Sequence, residues 1–216
     1  PIVIVANNIT LDGNNHIISG TGSGYGIYLY SRTGVTIRNC TVRYFVWGIC
    51  PVYGSGHIID NNIVTLNNMG IELSNATGIT VTGNTANSNP GIGIRLWGGS
   101  YHTIINNFAN GPGQTEGIDV NKSINNIITG NKTSVLSYGI IVYGPFWPNA
   151  SNNILTNNTI TSVAYGILIQ NALAVTLTGN TSTSNRYGIY LYGNYGGING
   201  YHNNIYGNNL NAYSNQ

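Results

Sequence analysis

Eight copies of the dipeptide Gly-Ile stand at a nearly constant distance from one another, at Gly26, Gly48, Gly70, Gly93, Gly117, Gly139, Gly166 and Gly188, in steps of 22, 22, 23, 24, 22, 27 and 22 residues. Such a period marks a stacked architecture, in which one repeat cannot cover its own apolar face and its neighbours do so instead. A second series keeps the same period, an aliphatic residue followed three positions later by Asn or Cys: Ile37…Cys40, Ile59…Asn62, Val81…Asn84, Ile104…Asn107, Ile128…Asn131, Leu155…Asn158, Leu177…Asn180 and Ile205…Asn208. Two places beyond each lies another small or aliphatic residue, from Val42 to Leu210, so each repeat carries three short inward stretches separated by turns.

Composition selects strands over helices for those stretches. The 216 residues include 36 Asn, 30 Gly and 21 Thr, only 6% are charged, and 41% are hydrophobic. The polar helix formers Glu, Lys, Gln and Arg are scarce, whereas Asn and Gly favour turns and Ile, Val and Thr favour strands. The expected fold is therefore all-β: a single-stranded parallel β-helix, or β-solenoid, of about 8–9 coils of ~22 residues with three short strands per coil, forming one domain over residues 1–216. Equivalent residues then stand in ladders about 4.8 Å apart, with Ile27, Ile49, Ile71, Ile94, Ile118, Ile140, Ile167 and Ile189 as one interior ladder. The residues just before each Gly form another, from Tyr25 and Trp47 to Tyr187, in which Glu116 is the exception. A column of Asn amides at the bends can bond to neighbouring amides and to turn backbone. Cys40 heads that column, Cys50 falls in an outward slot, and no disulfide between them is expected.

The opening Asn8-Ile-Thr-Leu-Asp-Gly-Asn-Asn-His-Ile-Ile-Ser-Gly20, followed by repeated Gly-Ile-x-Leu and Val-Thr-Ile/Leu-Thr-Gly-Asn, resembles the right-handed parallel β-helix repeat proteins. That group includes pectate-lyase-like and polygalacturonase-like enzymes, carbohydrate-binding and sugar-hydrolase modules, surface proteins, and the periplasmic β-helix proteins of nitrous oxide reductase maturation. The resemblance spans essentially the whole chain and implies a right-handed coil, in keeping with the general hand of parallel β connections. It implies no particular activity, because the repeat encodes packing and one fold hosts many functions.

Carboxylates are few: Asp12, Asp60, Glu72, Glu116 and Asp119. Glu72 and Asp119 share an outward slot two coils apart, roughly 9.6 Å, near the carboxyl separation of inverting glycosidases. Arg95 occupies that slot in the coil between them, so a Glu72–Arg95–Asp119 ladder of exposed ion pairs is the leading reading and catalysis by this trio the lesser one. The Asn-Thr-Asp, Gly-His-Gly and Arg-Ile-Lys signatures that the polygalacturonase-like resemblance would bring are absent, as is the acidic calcium cluster of the pectate-lyase-like enzymes. His16, His57, His102, His202, Cys40, Cys50 and Met69 are dispersed, and His57 and His102 fall two coils apart with Ile79 between them. No metal site and no cofactor are therefore expected, and the likeness to copper-maturation proteins carries fold rather than copper.

Three surfaces remain. Tyr28, Tyr30, Trp97, Tyr143, Tyr190 and Tyr192 lie in or beside outward slots of the Gly-Ile strand, where they could stack on sugar rings, form a protein interface or brace the sheet. A Thr/Ile strip from Thr36 to Thr178 flanks the second inward stretch and suggests, as a minor reading, an ice-binding face, or lateral packing on another protein. Among eight Asn-x-Ser/Thr sequons, Asn75, Asn121 and Asn149 fall in expected turns and are glycosylation candidates in a secreted setting. Seven dispersed basic residues make no nucleic-acid patch, and no run of about 18 apolar residues could span a membrane. The chain shows no signal peptide and no end caps, so it reads as a mature form or fragment of a longer secreted protein. Open ends favour head-to-tail self-association. The leading expectation is thus a non-enzymatic extracellular or cell-surface structural subunit, with a periplasmic setting also open, that stacks into a filament or surface layer or contacts other surface proteins. The alternative is a carbohydrate-binding or carbohydrate-processing β-helix that uses the Tyr/Trp face.

Overall fold

The computed structural model describes residues 1–144, 150–193 and 196–215. No helix occurs among them, and every strand pairs in parallel with its equivalents one coil away. The chain winds a right-handed β-solenoid of about nine turns. A long-strand sheet of ten strands, each of six residues from Tyr25–Tyr30 onward apart from the opening Ile2–Ile4, carries the Gly-Ile motif. A second sheet of nine three-residue strands carries the Thr/Ile strip. The third side is split into sheets of three and five strands, bridged by Thr85, which pairs singly with Ile63 and Phe108.

The motifs mark these sheets for steric reasons. In the long strands from Tyr25–Tyr30 to Tyr165–Gln170 the Ile and the residue two places on point inward and are buried, as in Ile71 and Leu73 or Ile94 and Leu96. The Gly before them also faces inward, against the third side: a Cβ on Gly48 would meet the carbonyl of Gly70 in the next coil at 2.6 Å and a methyl of Val64. The tube narrows there to backbone against side chain, so glycine is the residue that lets the coils close. The resulting core is one continuous apolar column from Ile4 to Leu177.

Polar side chains turned into the corners are joined along the axis. The backbone N–H groups of Cys40, Asn62, Asn84, Asn107, Asn131, Asn158 and Asn180 each donate to the amide oxygen of the next coil's Asn, over 2.9–3.0 Å. The last acceptor is Asn203, whereas the sequence pattern pointed to Asn208. In the final coil the inward position of the second sheet is Gly200, paired with Leu177, so the aliphatic marker is missing there, and Ile205 belongs to the third side opposite Ser182. Asn208 instead ends a second amide ladder at the next corner, formed by Asn67, Asn89 and Gln114 and later by Asn185. Both cysteines are free and buried.

Candidate functional site

The outer face of the long-strand sheet carries three columns of side chains. The first precedes the Gly: Tyr25, Trp47, Met69, Ile92, Glu116, Tyr138, Tyr165 and Tyr187. The middle column includes Tyr28, Cys50, Glu72, Arg95, Asp119, Ile141, Leu168 and Tyr190, and the third includes Tyr30, Trp97, Asn121, Tyr143 and Tyr192. Because large residues fill the outer two columns, they shield the middle one. Cys50, Asp119, Ile141 and Leu168 are buried although they point away from the core.

Glu72, Arg95 and Asp119 meet in this shielded column. Arg95 lies 3.9 Å from Glu72 and 3.2 Å from Asp119, with side-chain exposures of 18%, 13% and 6% respectively. The ladder expected from the sequence is present, but it is largely buried rather than exposed. The residues that bury it come from elsewhere in the sheet. Trp47 donates from Nε1 to Glu72 Oε2 over 3.2 Å. The Arg95 guanidinium stacks on the Trp97 ring at 4.1 Å, and the Lys122 ammonium lies over the same ring at 5.2 Å. The contact between Arg95 Nε and Asp119 is close but is not aligned as a hydrogen bond, and Asp119 Oδ1 and the neighbouring Asn121 Oδ1 are buried without a donor.

These surroundings set the protonation of the site. Burial, and next the Glu116 carboxylate, push the Asp119 carboxyl up to about 7 against the opposing pull of Arg95. Burial likewise raises Glu116, with Arg95 pulling it down. Near neutral pH, Asp119 can therefore either hold or accept a proton. Glu116 was visible in the sequence as the break in an otherwise apolar and aromatic column. Trp47 and Lys122 gave no sequence signal of a site, since their role depends on the register between coils.

The aromatic candidates separate into three groups. Tyr28 and Tyr30 lie at the first coils, with Tyr28 tilted against Tyr25 at 4.6 Å and Tyr30 edge-on to Tyr53 at 5.7 Å. Trp97 and Tyr143 flank Asn121 in the third column, beside the charged trio. Tyr190 and Tyr192 lie at the far end, about 34 Å from Tyr28 at the parallel-strand spacing. Tyr190 stands edge-on to Tyr165 and Tyr187, whose rings stack on each other at 4.9 Å. Rings stacked in this way have their faces covered by one another and act as sheet bracing. Tyr30 and Tyr192, at 53% and 43% exposure, are the most open of the six.

Of the glycosylation candidates, Asn75 lies in an exposed turn. Asn121 does not: it is the last residue of strand Glu116–Asn121 and is buried, because Trp97 and Tyr143 continue its column on either side. Asn149 lies outside the described residues. A cleft of about 380 Å³ opens at the corner where the third side turns into the long-strand sheet, lined by Asn110, Gly111, Pro112, Ser134, Val135 and Leu136. It holds no titratable side chain, so the charged trio and the cleft are separate features.

The two buried histidines are committed to structure. His57 Nδ1 accepts the Val35 N–H over 3.1 Å and His102 Nδ1 accepts the Ile79 N–H over 3.2 Å, the role that Asn126 and Asn153 play in the same corner of later coils. Their Nε2 atoms face the carbonyls of Arg32 and Ala76 without an aligned bond. With one nitrogen accepting and the other carrying the proton, neither ring offers a lone pair to a metal.

A family model described as periplasmic copper-binding protein (NosD) matches residues 2–144 and 113–216. No curated protein matches the chain by sequence. Among solved structures, an alginate lyase from Paenibacillus sp. str. FPU-7 superposes with a TM-score of 0.73 at 17% identity, covering 92% of this chain and 78% of the lyase. The periplasmic alginate epimerase AlgG superposes with a TM-score of 0.72 at 20% identity, covering 83% of this chain and 47% of the epimerase. DFA-IIIase from Arthrobacter chlorophenolicus A6 gives 0.71 at 14% identity, covering 85% and 52%. The chain thus spans about half the length of the latter two, and at these identities the likeness is one of fold. The expectation of a non-enzymatic structural subunit, filament or surface-layer component is overturned: the fold neighbours are carbohydrate-active enzymes, and the matching family is described by copper binding and a periplasmic location. Copper does not fit the residues described here. No group of three or more His, Cys, Asp or Glu side chains converges among them, both buried histidines are engaged, and burial holds the Cys50 thiol protonated.

Proposed function

The chain belongs to the NosD family, and on that premise we propose that its β-helix is a carbohydrate-processing module that takes a glycan on the outer face of the long-strand sheet. One observation carries the reading. Glu72, Glu116 and Asp119, three of the five acidic residues in a chain that is 6% charged, gather around Arg95 on a face flanked by tyrosines and tryptophans. A carboxyl that titrates near neutrality beside a fixed cation suits proton transfer to or from a sugar oxygen, and the aromatic side chains offer apolar surface to sugar rings. The alginate lyase, alginate epimerase and DFA-IIIase that share the fold are consistent with such a role. A family described as periplasmic agrees with a location outside the cytoplasm, and the periplasm is the compartment we favour.

The test is turnover of a panel of oligosaccharides by the wild-type chain and by Glu72→Gln and Asp119→Asn, with circular dichroism to verify folding. Loss of turnover of about a hundredfold or more in Asp119→Asn supports the reading. Equal turnover by all three proteins would remove the trio from the chemistry, and absence of any glycan binding or turnover would remove the function itself.

A further inference from the structure

We propose that the glycan this face accepts is uncharged, and that polyuronates of the kind named for the alginate-acting fold neighbours are excluded. The inference rests on the carbohydrate reading above and sharpens it to a substrate class.

The first argument concerns cations. Recognition of a uronate carboxylate calls for a positive group with donors to spare, best supplied by a free arginine fork. Each of the seven basic side chains already has a hydrogen-bond, ion-pair or ring contact, and the one at the centre of the face is shared between carboxylates. Arg32 donates to the carbonyls of Tyr30 and Val5, and Arg38 pairs with Asp12 at 2.9 Å. Arg43, Lys132 and Arg186 lie over the rings of Tyr44, Phe108 and Tyr187. On the proposed face itself, Arg95 is held between two carboxylates and stacked on Trp97, and Lys122 lies over the same ring. With Glu72, Glu116 and Asp119 around one guanidinium, the middle of the face repels an anion, and like charges brought together across an interface are costly.

The second argument concerns what the site lacks. Asp119 Oδ1 and Asn121 Oδ1 stand on the same side of one strand, each on a residue more than nine-tenths buried, and neither receives a hydrogen bond. Asn121 Oδ1 is an acceptor, as is Asp119 Oδ1 when the carboxyl is ionised, and an unpartnered buried acceptor calls for a donor. Sugar hydroxyls donate; a carboxylate only accepts. Trp97 and Tyr143 flank Asn121 in its column, so a hydroxyl that reached the pair would lie beside their rings. The two acceptors thus call for the hydroxyls of a glycan, and the carboxylates around Arg95 disfavour one that carries carboxylates of its own.

The test is affinity electrophoresis of the wild-type chain through gels containing galactomannan or β-glucan as neutral probes and alginate or polygalacturonate as uronate probes. It is run at about 10 mM salt, where charge repulsion reaches farthest. Retardation by a neutral polysaccharide, with apparent affinity for the uronates at least about tenfold weaker, is the expected result. Glu116→Gln, which removes one repelling charge, should narrow that gap by strengthening retardation in the uronate gels. Retardation by alginate or polygalacturonate equal to or stronger than by the neutral probes would overturn this inference while leaving the carbohydrate reading intact. Migration unaffected by all four polymers would overturn both.

Discussion

The side-chain oxygen of Asn106 occupies the space where a Cβ on Gly130 would stand, one coil further along the solenoid. Gly130 also has a φ of 66°, in the left-handed region, and Asn157 and Gly179 repeat the arrangement two coils on. Asparagine and glycine thus alternate at this turn because each amide folds over the bare backbone above it. Gly130→Ala should cost about 1–2 kcal/mol for the left-handed backbone alone, with a further loss from the collision. Adding Asn106→Gly should recover the collision part, and a double-mutant cycle on urea midpoints reads the coupling. Purely additive losses would mean that the amide moves aside freely.

His102 is a corner piece, and asparagine does the same work at Asn126 and Asn153. His102→Asn is accordingly expected to hold wild-type stability at neutral pH to within about 1 kcal/mol, whereas His102→Ala leaves the Ile79 N–H unpartnered and should cost about 1–3 kcal/mol. Thermal unfolding of the two variants at pH 8 makes the comparison.

Stability should depend on pH through two opposing groups. Burial lowers His102 from its ordinary 6.5 to about 4, so the unfolded chain takes up a proton that the folded one refuses, and stability falls as pH drops from about 6.5 to 4. Asp119 is raised from 3.8 to about 7, so the folded chain keeps a proton that the unfolded one releases, and stability falls as pH rises from about 4 to 7. The slopes offset one another where they overlap. Asp119→Asn should expose the histidine slope and His102→Asn the aspartate slope, measured as denaturant midpoints across pH 4–8. Matching profiles for both variants would contradict the assignment.

Asn131 accepts both the backbone N–H and the side-chain amide of Asn107 and donates to the carbonyl of Ile104. Asn131→Ala removes these three buried hydrogen bonds at once, leaves the Asn107 N–H without its acceptor, and should cost about 2 kcal/mol or more. Asn208→Ala, at the last rung of the second ladder and partly exposed to water, should cost less. The difference in melting temperature between the variants tests whether the ladder is stronger inside than at its end.

Much of the architecture could be read from residue order because one repeat position means one place on the tube. The Gly-Ile series located the long strands and their interior ladder, and the Asn series located a corner. The reading slipped at the final coil because Gly200 replaces the aliphatic marker, and it missed the second amide ladder, whose members change from Asn to Gln114. The site was legible as a trio of slots, Glu72, Arg95 and Asp119, but not in its environment. Its burial arises from Trp97 and from the flanking columns, and its third carboxyl, Glu116, lies three residues before Asp119 in the neighbouring column. Such relations depend on how neighbouring coils are registered, which a period alone does not specify.

The amide ladders also have a direction. In every rung described, the N–H of one coil waits for an oxygen carried by the coil that follows it in sequence, 22 to 27 residues later. A chain emerging from the ribosome would lay down each coil with its upper donors unsatisfied until the next arrived to receive them. The growing tip would always be the least settled part of the molecule, and each new turn would complete the one before it, so the solenoid is suited to assembly in the order of its own synthesis.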